Sequence, residues 1–178
     1  MNDYAEMIDK DAVRFVRILP GPIERVWSFL VEPEKRARWL CGGETEPTVG
    51  GRVEMKFHNE TLSGDADIEP PEKYKKYAGP ISFQGKVIAY EPPRLLTHSW
   101  DFEGNSSEVT YELSEQDGQV KLVLTHRRLD SREEMASVCG GWHTHLDILS
   151  DILEEKSPRP FWKHQTAVEA EYENRLPR

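Results

Sequence analysis

Cysteine is scarce in this chain, at two residues in 178, and Cys41 and Cys139 lie far apart and outside any C-x-x-C pair. That spacing argues against a disulfide framework and for two reduced thiols in a reducing compartment. No stretch reaches the roughly 18 consecutive apolar residues of a membrane-spanning helix. Met1–Glu6 shows no basic region leading into an apolar run, so no secretory signal is expected. These absences predict a cytoplasmic protein without membrane insertion. Positive charge is also short: 23 Lys and Arg stand against 32 Asp and Glu, a formal net charge of −9. A surface of that sign disfavours a nucleic-acid partner, because binding to phosphates depends on cations. Sequence signatures of catalysis are missing as well, with no P-loop, no dinucleotide-binding glycine triad and no G-x-S-x-G elbow. Aromatics, by contrast, are plentiful: five Trp, six Tyr and six Phe. An acidic chain of this length and aromatic content reads as one folded domain rather than a disordered segment.

Proline and glycine divide the chain into short elements. Asp11–Leu19 is rich in Val, Ile and Phe and runs into Pro20-Gly21-Pro22, a strand ended by a breaker. Ile23, Val26, Trp27 and Leu30 then recur at helical spacing. A second short helix is expected after Pro33, with Arg36, Trp39 and Leu40 in its last turns and Gly42-Gly43 as its stop. Apolar and polar residues alternate through Arg52–His58, Ile81–Tyr90, Arg94–Phe102, Ser107–Leu113 and Gln119–His126. Period-two alternation broken by turn signals predicts an antiparallel meander with one covered face. On that face fall Leu96, His98, Trp100 and Phe102, then Val109 and Tyr111, then Leu124 and His126. Ser131 and Glu134 form a capping box for a long helix, although its start could also lie nearer Gly140-Gly141. Its apolar stripe includes Val138, Trp142, His145, Leu146 and Leu149, and its polar face Asp147, Asp151, Glu154 and Glu155. Ser157-Pro158-Arg159-Pro160 ends it, and the segment after that is helix-permissive but weakly patterned. The fold class is α+β, with the long helix covering the sheet.

This order resembles the helix-grip fold of the START-like (SRPBCC) superfamily, in which a curved antiparallel β-sheet wraps a long C-terminal helix. Within it the chain looks like the branch of activator of heat-shock protein 90 ATPase homologue-like proteins. The resemblance rests on Pro22–Leu30 continuing to Pro33-Glu34-Lys35 and Arg38-Trp39-Leu40, on Gly50-Gly51-Arg52-Val53, and on Gly85–Leu96 followed by Ser99-Trp100. It also rests on Val109–Leu113 with Leu122–His126, and on Gly141-Trp142 leading into the closing helix. The resemblance implies a START-like domain over residues 1–157 with a C-terminal helical extension over 158–178. Two features depart from a minimal member: a long acidic connection, Asn59–Gly79, and the extension itself. The connection reads equally as a lid over a cavity or as a solvated insertion. The extension carries Phe161, Trp162, Val168, Tyr172 and Leu176, and is expected to dock on the domain or on a second subunit as a homodimer contact. Chaperone co-factors of this family also carry a separate N-terminal domain, whereas about a dozen residues precede the first strand here.

A helix-grip fold can enclose an elongated cavity for an apolar ligand with a few polar anchors. The residues placed to line it are Trp39, Phe57, His98, Trp100, Tyr111, His126, Trp142, His145 and Leu146. Each is equally a plain core residue by alternation alone. The preferred reading is therefore a non-enzymatic protein binding a small hydrophobic or amphipathic molecule. A cofactor-free polyketide-cyclase-like or hydrolase activity in the same cavity, and a chaperone-interaction module, are the alternatives. No metal or cofactor is expected: zinc needs three or four convergent ligands. His143 and His145 point about 200° apart on a helix, and His143 with Asp147 at i,i+4 reads as a surface pair.

Overall fold

Alternating strands separated by Pro, Gly and Asp turns pair with their neighbours, and a long helix is needed to cover the face they share. The computed structural model describes residues 2–64 and 66–178. The strands are β1 (Glu6–Asp9), β2 (Ala12–Pro20), β3 (Arg52–Phe57), β4 (Ile81–Glu91), β5 (Leu95–Phe102), β6 (Asn105–Gln116) and β7 (Gln119–Arg127). The helices are α1 (Ile23–Val31), α2 (Pro33–Arg36), α3 (Arg132–Leu153) and α4 (Phe161–Arg175). All seven strands join one curved antiparallel sheet in the order β1-β2-β7-β6-β5-β4-β3. The sheet wraps α3, as the helix-grip pattern requires. Among the described residues no helix is long and apolar enough to cross a membrane. Cys41 and Cys139 are free and buried.

The structure departs from the sequence expectation at four places. β1 was not foreseen: four residues carry too little alternation to register, and the strand is held partly from outside the sheet. Tyr4, just ahead of it, packs edge-on against Tyr172 of α4 at 5.2 Å, and the Tyr172 hydroxyl accepts the Ala5 N–H at 2.8 Å. α2 is shorter than expected, because Arg36 turns inward at its end. The buried Arg36 guanidinium donates to the carbonyls of Cys41, Gly42, Gly43 and Glu54 and to the Thr45 hydroxyl. That cluster of bonds takes the place of further helical turns. At the start of α3, Ser131 Oγ accepts the Glu134 N–H at 3.1 Å, but the Glu134 carboxylate reaches the Asp130 N–H instead of closing the box on Ser131.

The fourth departure corrects the polar face of α3. Asp147 and Asp151 were placed toward solvent and are 8% and 7% exposed. Arg159 and α4 cover them, with Phe161, Trp162, Val168, Tyr172 and, just beyond the helix, Leu176 all buried in the same chain. Burial of each such side chain contributes about 1.5–3 kcal/mol. The extension therefore docks on its own domain, the first of the two expectations for it. The approach is close enough that a Cβ on Gly140 would lie 2.9 Å from the Glu169 Cβ. Gly140 thus sets the spacing of the two helices.

Candidate functional site

Between the covered sheet face and α3 lies a cleft of about 460 Å³. Its walls follow from the strand registers. Phe57 opposes Ile81 and Met55 opposes Phe83, so Phe57 and Phe83 share a face, and their rings stack 5.5 Å apart. Trp100 pairs with Ser107 across β5 and β6, and lies 5.2 Å from Phe83 and 5.4 Å from Trp142 of α3. Leu40, Val138 and Phe161 complete much of the apolar wall. Gly141 also lines the cleft, and a Cβ placed on it would meet open space. Of the nine residues expected to line the cavity, Phe57, Trp100, His126, Trp142 and His145 do so. Trp39, His98, Tyr111 and Leu146 do not line it: they lie in the packed core next to it, each 3% exposed or less. His98 sits two residues along β5 from Trp100, with its ring between those of Trp100 and Tyr111, so alternation chose the correct face but not the depth.

Residues missed from the sequence come from two sources. Phe83 and Phe102 follow the same alternation as their neighbours and were readable as wall. Tyr74, Tyr77, Phe161, Trp162 and Gln165 belong to the 59–79 connection and to α4, whose positions depend on tertiary docking. The connection forms two short 3-10 turns, Asn59–Thr61 and Glu72–Tyr77. It is tied to α4: the Asp67 carboxylate accepts the N–H groups of Trp162 (2.7 Å) and Lys163 (2.9 Å), and Ser63 Oγ accepts that of Phe161 (2.9 Å). A carboxylate on the free N–H groups of a first helical turn is stabilised by both hydrogen bonding and the helix dipole. Tyr74 donates to Glu169, which also pairs with Lys73.

The histidines in the cleft have different hydrogen-bonding states. Trp142 Nε1–H donates to His126 Nδ1 at 2.9 Å, and Ser107 Oγ lies 2.7 Å from Nε2. An indole N–H can only donate. Nδ1 is therefore the acceptor, Nε2 carries the proton, and Ser107 accepts it while turning its own hydroxyl toward the Trp100 carbonyl at 3.3 Å. A hydrolytic Ser–His pair needs Nε2 free to take the serine proton, with an acceptor behind Nδ1. Here the third member is a donor, so the pair is wired the wrong way for nucleophilic catalysis. Burial, with the neighbouring His98 as a smaller influence, pushes the His126 pKa down to about 3. His145 is oriented oppositely: Nδ1 lies 2.7 Å from the Trp39 carbonyl and donates to it. Its Nε2 lone pair has no protein partner among the described residues. Burial brings its pKa down to about 4, so it is neutral at pH 7. Burial also raises the Cys41 and Cys139 thiols to about 11 and 12, which removes them as nucleophiles.

A second polar cluster lies behind α3. Asp147 accepts from Arg17 (3.2 Å), Arg159 (3.3 Å), His143 (3.3 Å) and His164 (2.7 Å), while Arg159 also grips Asp151 at 2.7 and 2.8 Å. The expected surface pair of His143 and Asp147 is thus a buried one, a correction that follows from α4 docking. Burial alone would raise the Asp147 pKa, but the histidine hydrogen bonds and the Arg17 charge outweigh it and hold the carboxyl well below the usual range. His143, Asp147 and His164 place one ligand atom each within 4.8 Å of one another, as a metal site would. Their donor types suit zinc. The two guanidiniums on the same carboxylate do not, because a dication there would face two fixed positive charges.

Comparison with known proteins agrees with this architecture. The family model for "Activator of Hsp90 ATPase homolog 1-like protein" matches residues 20–154. A protein of Bordetella parapertussis solved by NMR is 41% identical with a TM-score of 0.81, covering 99% of this chain and 92% of that one. CalU16 of Micromonospora echinospora is 22% identical with a TM-score of 0.67, covering 96% of this chain and 93% of that one. A conserved protein of unknown function from Enterococcus faecalis is 18% identical with a TM-score of 0.68, covering 99% and 91%. The last two show likeness of fold alone. A search of curated proteins gave no match. With its family match spanning most of the sheet and all of α3, the chain belongs to the activator of Hsp90 ATPase homologue 1-like family.

Proposed function

We propose that the protein binds a small apolar or amphipathic molecule in the cleft between the sheet and α3, without transforming it. The observation that carries this reading is the cleft itself. At about 460 Å³ it lies within the range of small-molecule sites and is walled mainly by aromatic side chains with a few polar groups. Against turnover stands the His126 network, which leaves Ser107 without a base. The chaperone-interaction reading has less to rest on: the large exposed apolar residues among those described are Val49, Ile68 and Ile88. The free buried thiols, with no helix among the described residues long and apolar enough to cross a membrane, support a cytoplasmic location, which belongs to the same proposal.

Native mass spectrometry of the gently purified chain tests the reading. A co-purifying species released on denaturation is expected, and Gly141→Leu should abolish it by filling the open space beside α3. Removing a mid-helix glycine favours the helix by up to about 1 kcal/mol, so the variant should stay folded. A Gly141→Leu protein that retains the same bound mass would contradict the assignment of the cleft.

A further inference from the structure

Among the described residues that line the cleft the charged ones are Glu103, Asp130 and Glu134, and Glu103 is paired with Lys76 at 3.9 Å. Building on the cleft-binding reading, we propose that the occupant is an uncharged aromatic molecule that donates a hydrogen bond, from a phenolic hydroxyl or ring N–H, to Nε2 of His145.

Three observations converge on that chemistry. The walls offered by Phe57, Phe83, Trp100, Trp142 and Phe161 are ring faces and edges, and rings pack on rings at centroid separations of about 4.5–7 Å. His145 is 6% exposed, and with Nδ1 committed to the Trp39 carbonyl its Nε2 is a bare acceptor on the cleft wall. An acceptor on the cleft wall with no protein partner is free to take a hydrogen bond from a ligand donor. Being neutral at pH 7, this histidine offers no positive charge to a carboxylate. Among the described residues lining the cleft no lysine or arginine offers a counter-charge, so an anionic ligand would be desolvated without a partner. An ammonium ligand is disfavoured for a different reason. Glu134 is already engaged by the Asn105 amide at 2.9 Å and by the Asp130 N–H, Glu103 pairs with Lys76, and Asp130 is exposed to solvent, so among the described lining residues no buried carboxylate is free to pair with it.

A matched series on one ring system tests this with the intact chain at pH 7: naphthalene, 2-naphthol, 2-naphthoate and 2-naphthylmethylammonium, titrated by calorimetry. The expected order places 2-naphthol first, about three- to tenfold tighter than naphthalene, as one net hydrogen bond allows. 2-Naphthoate should bind weakest. His145→Phe should remove the advantage of 2-naphthol while naphthalene changes less than about twofold. The ranking on the unmodified protein stands even where His145→Phe fails to fold. The proposal is overturned if 2-naphthoate or the ammonium matches 2-naphthol, or if the 2-naphthol advantage survives in His145→Phe. Saturable binding of all four with equal affinity would overturn the proposal but keep the cleft-binding reading; no saturable binding of any would overturn both.

Discussion

Trp142 Nε1 and His126 Nδ1 are joined by a 2.9 Å hydrogen bond that decides which nitrogen of the histidine holds its proton. Protonating His126 would set an Nδ1–H against the indole N–H, two donors with nothing to accept. Burial and this opposed donor act in the same direction on the histidine. Trp142→Phe keeps an aromatic ring and removes only the donor. The His126 pKa should then rise by about one unit from its low value, the equivalent of one net hydrogen bond. Histidine NMR titration reads this directly, and an unchanged or lower pKa would contradict the assigned wiring.

The buried histidines make stability depend on pH in a defined direction. His98, His126 and His145 titrate at about 4, 3 and 4 in the fold against 6.5 in the unfolded chain. Between pH 6.5 and 4 the unfolded chain therefore binds more protons, and stability falls as pH falls. Each histidine contributes a slope approaching about 1.4 kcal/mol per pH unit within that window. Asp147, whose folded pKa is depressed, adds a further loss only below its ordinary value of 3.8. Urea unfolding from pH 7.5 to 4.5 should show a steep decline below about 6.5 and little change above. Equal stability at pH 7.5 and 4.5 would contradict it.

Asp147 is the shared acceptor for Arg17 and Arg159, and the Arg17 side chain is 6% exposed. Asp147→Asn leaves the buried Arg17 guanidinium without a counter-charge between α3 and β2, whereas Arg159 keeps its pair with Asp151. A loss of about 3–5 kcal/mol is expected, as for breaking a buried pair from one side. Replacing both partners together (Arg17→Met with Asp147→Leu) should recover part of it. A denaturant midpoint within about 1 kcal/mol of the unmodified protein for Asp147→Asn would be inconsistent with this network.

Arg36 has the reverse arrangement, a buried cation held by carbonyls and one hydroxyl. Its five bonds fix the Cys41–Thr45 turn against β3. Arg36→Met should cost about 3 kcal/mol or more, and Arg36→Lys most of that, because an ammonium has three donors and no planar fork. A change under about 1 kcal/mol in Arg36→Lys unfolding would show that the fork is dispensable.

How much of this was readable in advance divides along physical lines. Strands β2 to β7 and helix α3 were legible within a few residues, because alternation and helical periodicity are local and one covered face imposes both. The same rule placed Phe57, Trp100 and His126 on the cleft side. It could not separate Trp100, which reaches the cleft, from His98, two residues deeper, since both have the same parity. Asp147 and Asp151 were misplaced because helix periodicity reports a polar face without saying what covers it. The cover is α4, whose sequence has a weak amphipathic pattern and whose docking depends on Gly140, Asp67 and Asp147, residues distant along the chain. Tyr74 and Trp162 entered the wall through the same docking, which no local pattern reports.

The central claim, that the cleft is a binding site, is tested most directly by the five tryptophan indole N–H signals. Trp100, Trp142 and Trp162 line the cleft, whereas Trp27 packs on Tyr90 and Trp39 donates to the Phe29 carbonyl in the core. Titration of the nitrogen-15-labelled chain with 2-naphthol should shift or broaden the first three signals and leave Trp27 and Trp39 in place. Saturable shifts confined to Trp27 and Trp39, or no shift at any of the five, would contradict a ligand site between the sheet and α3.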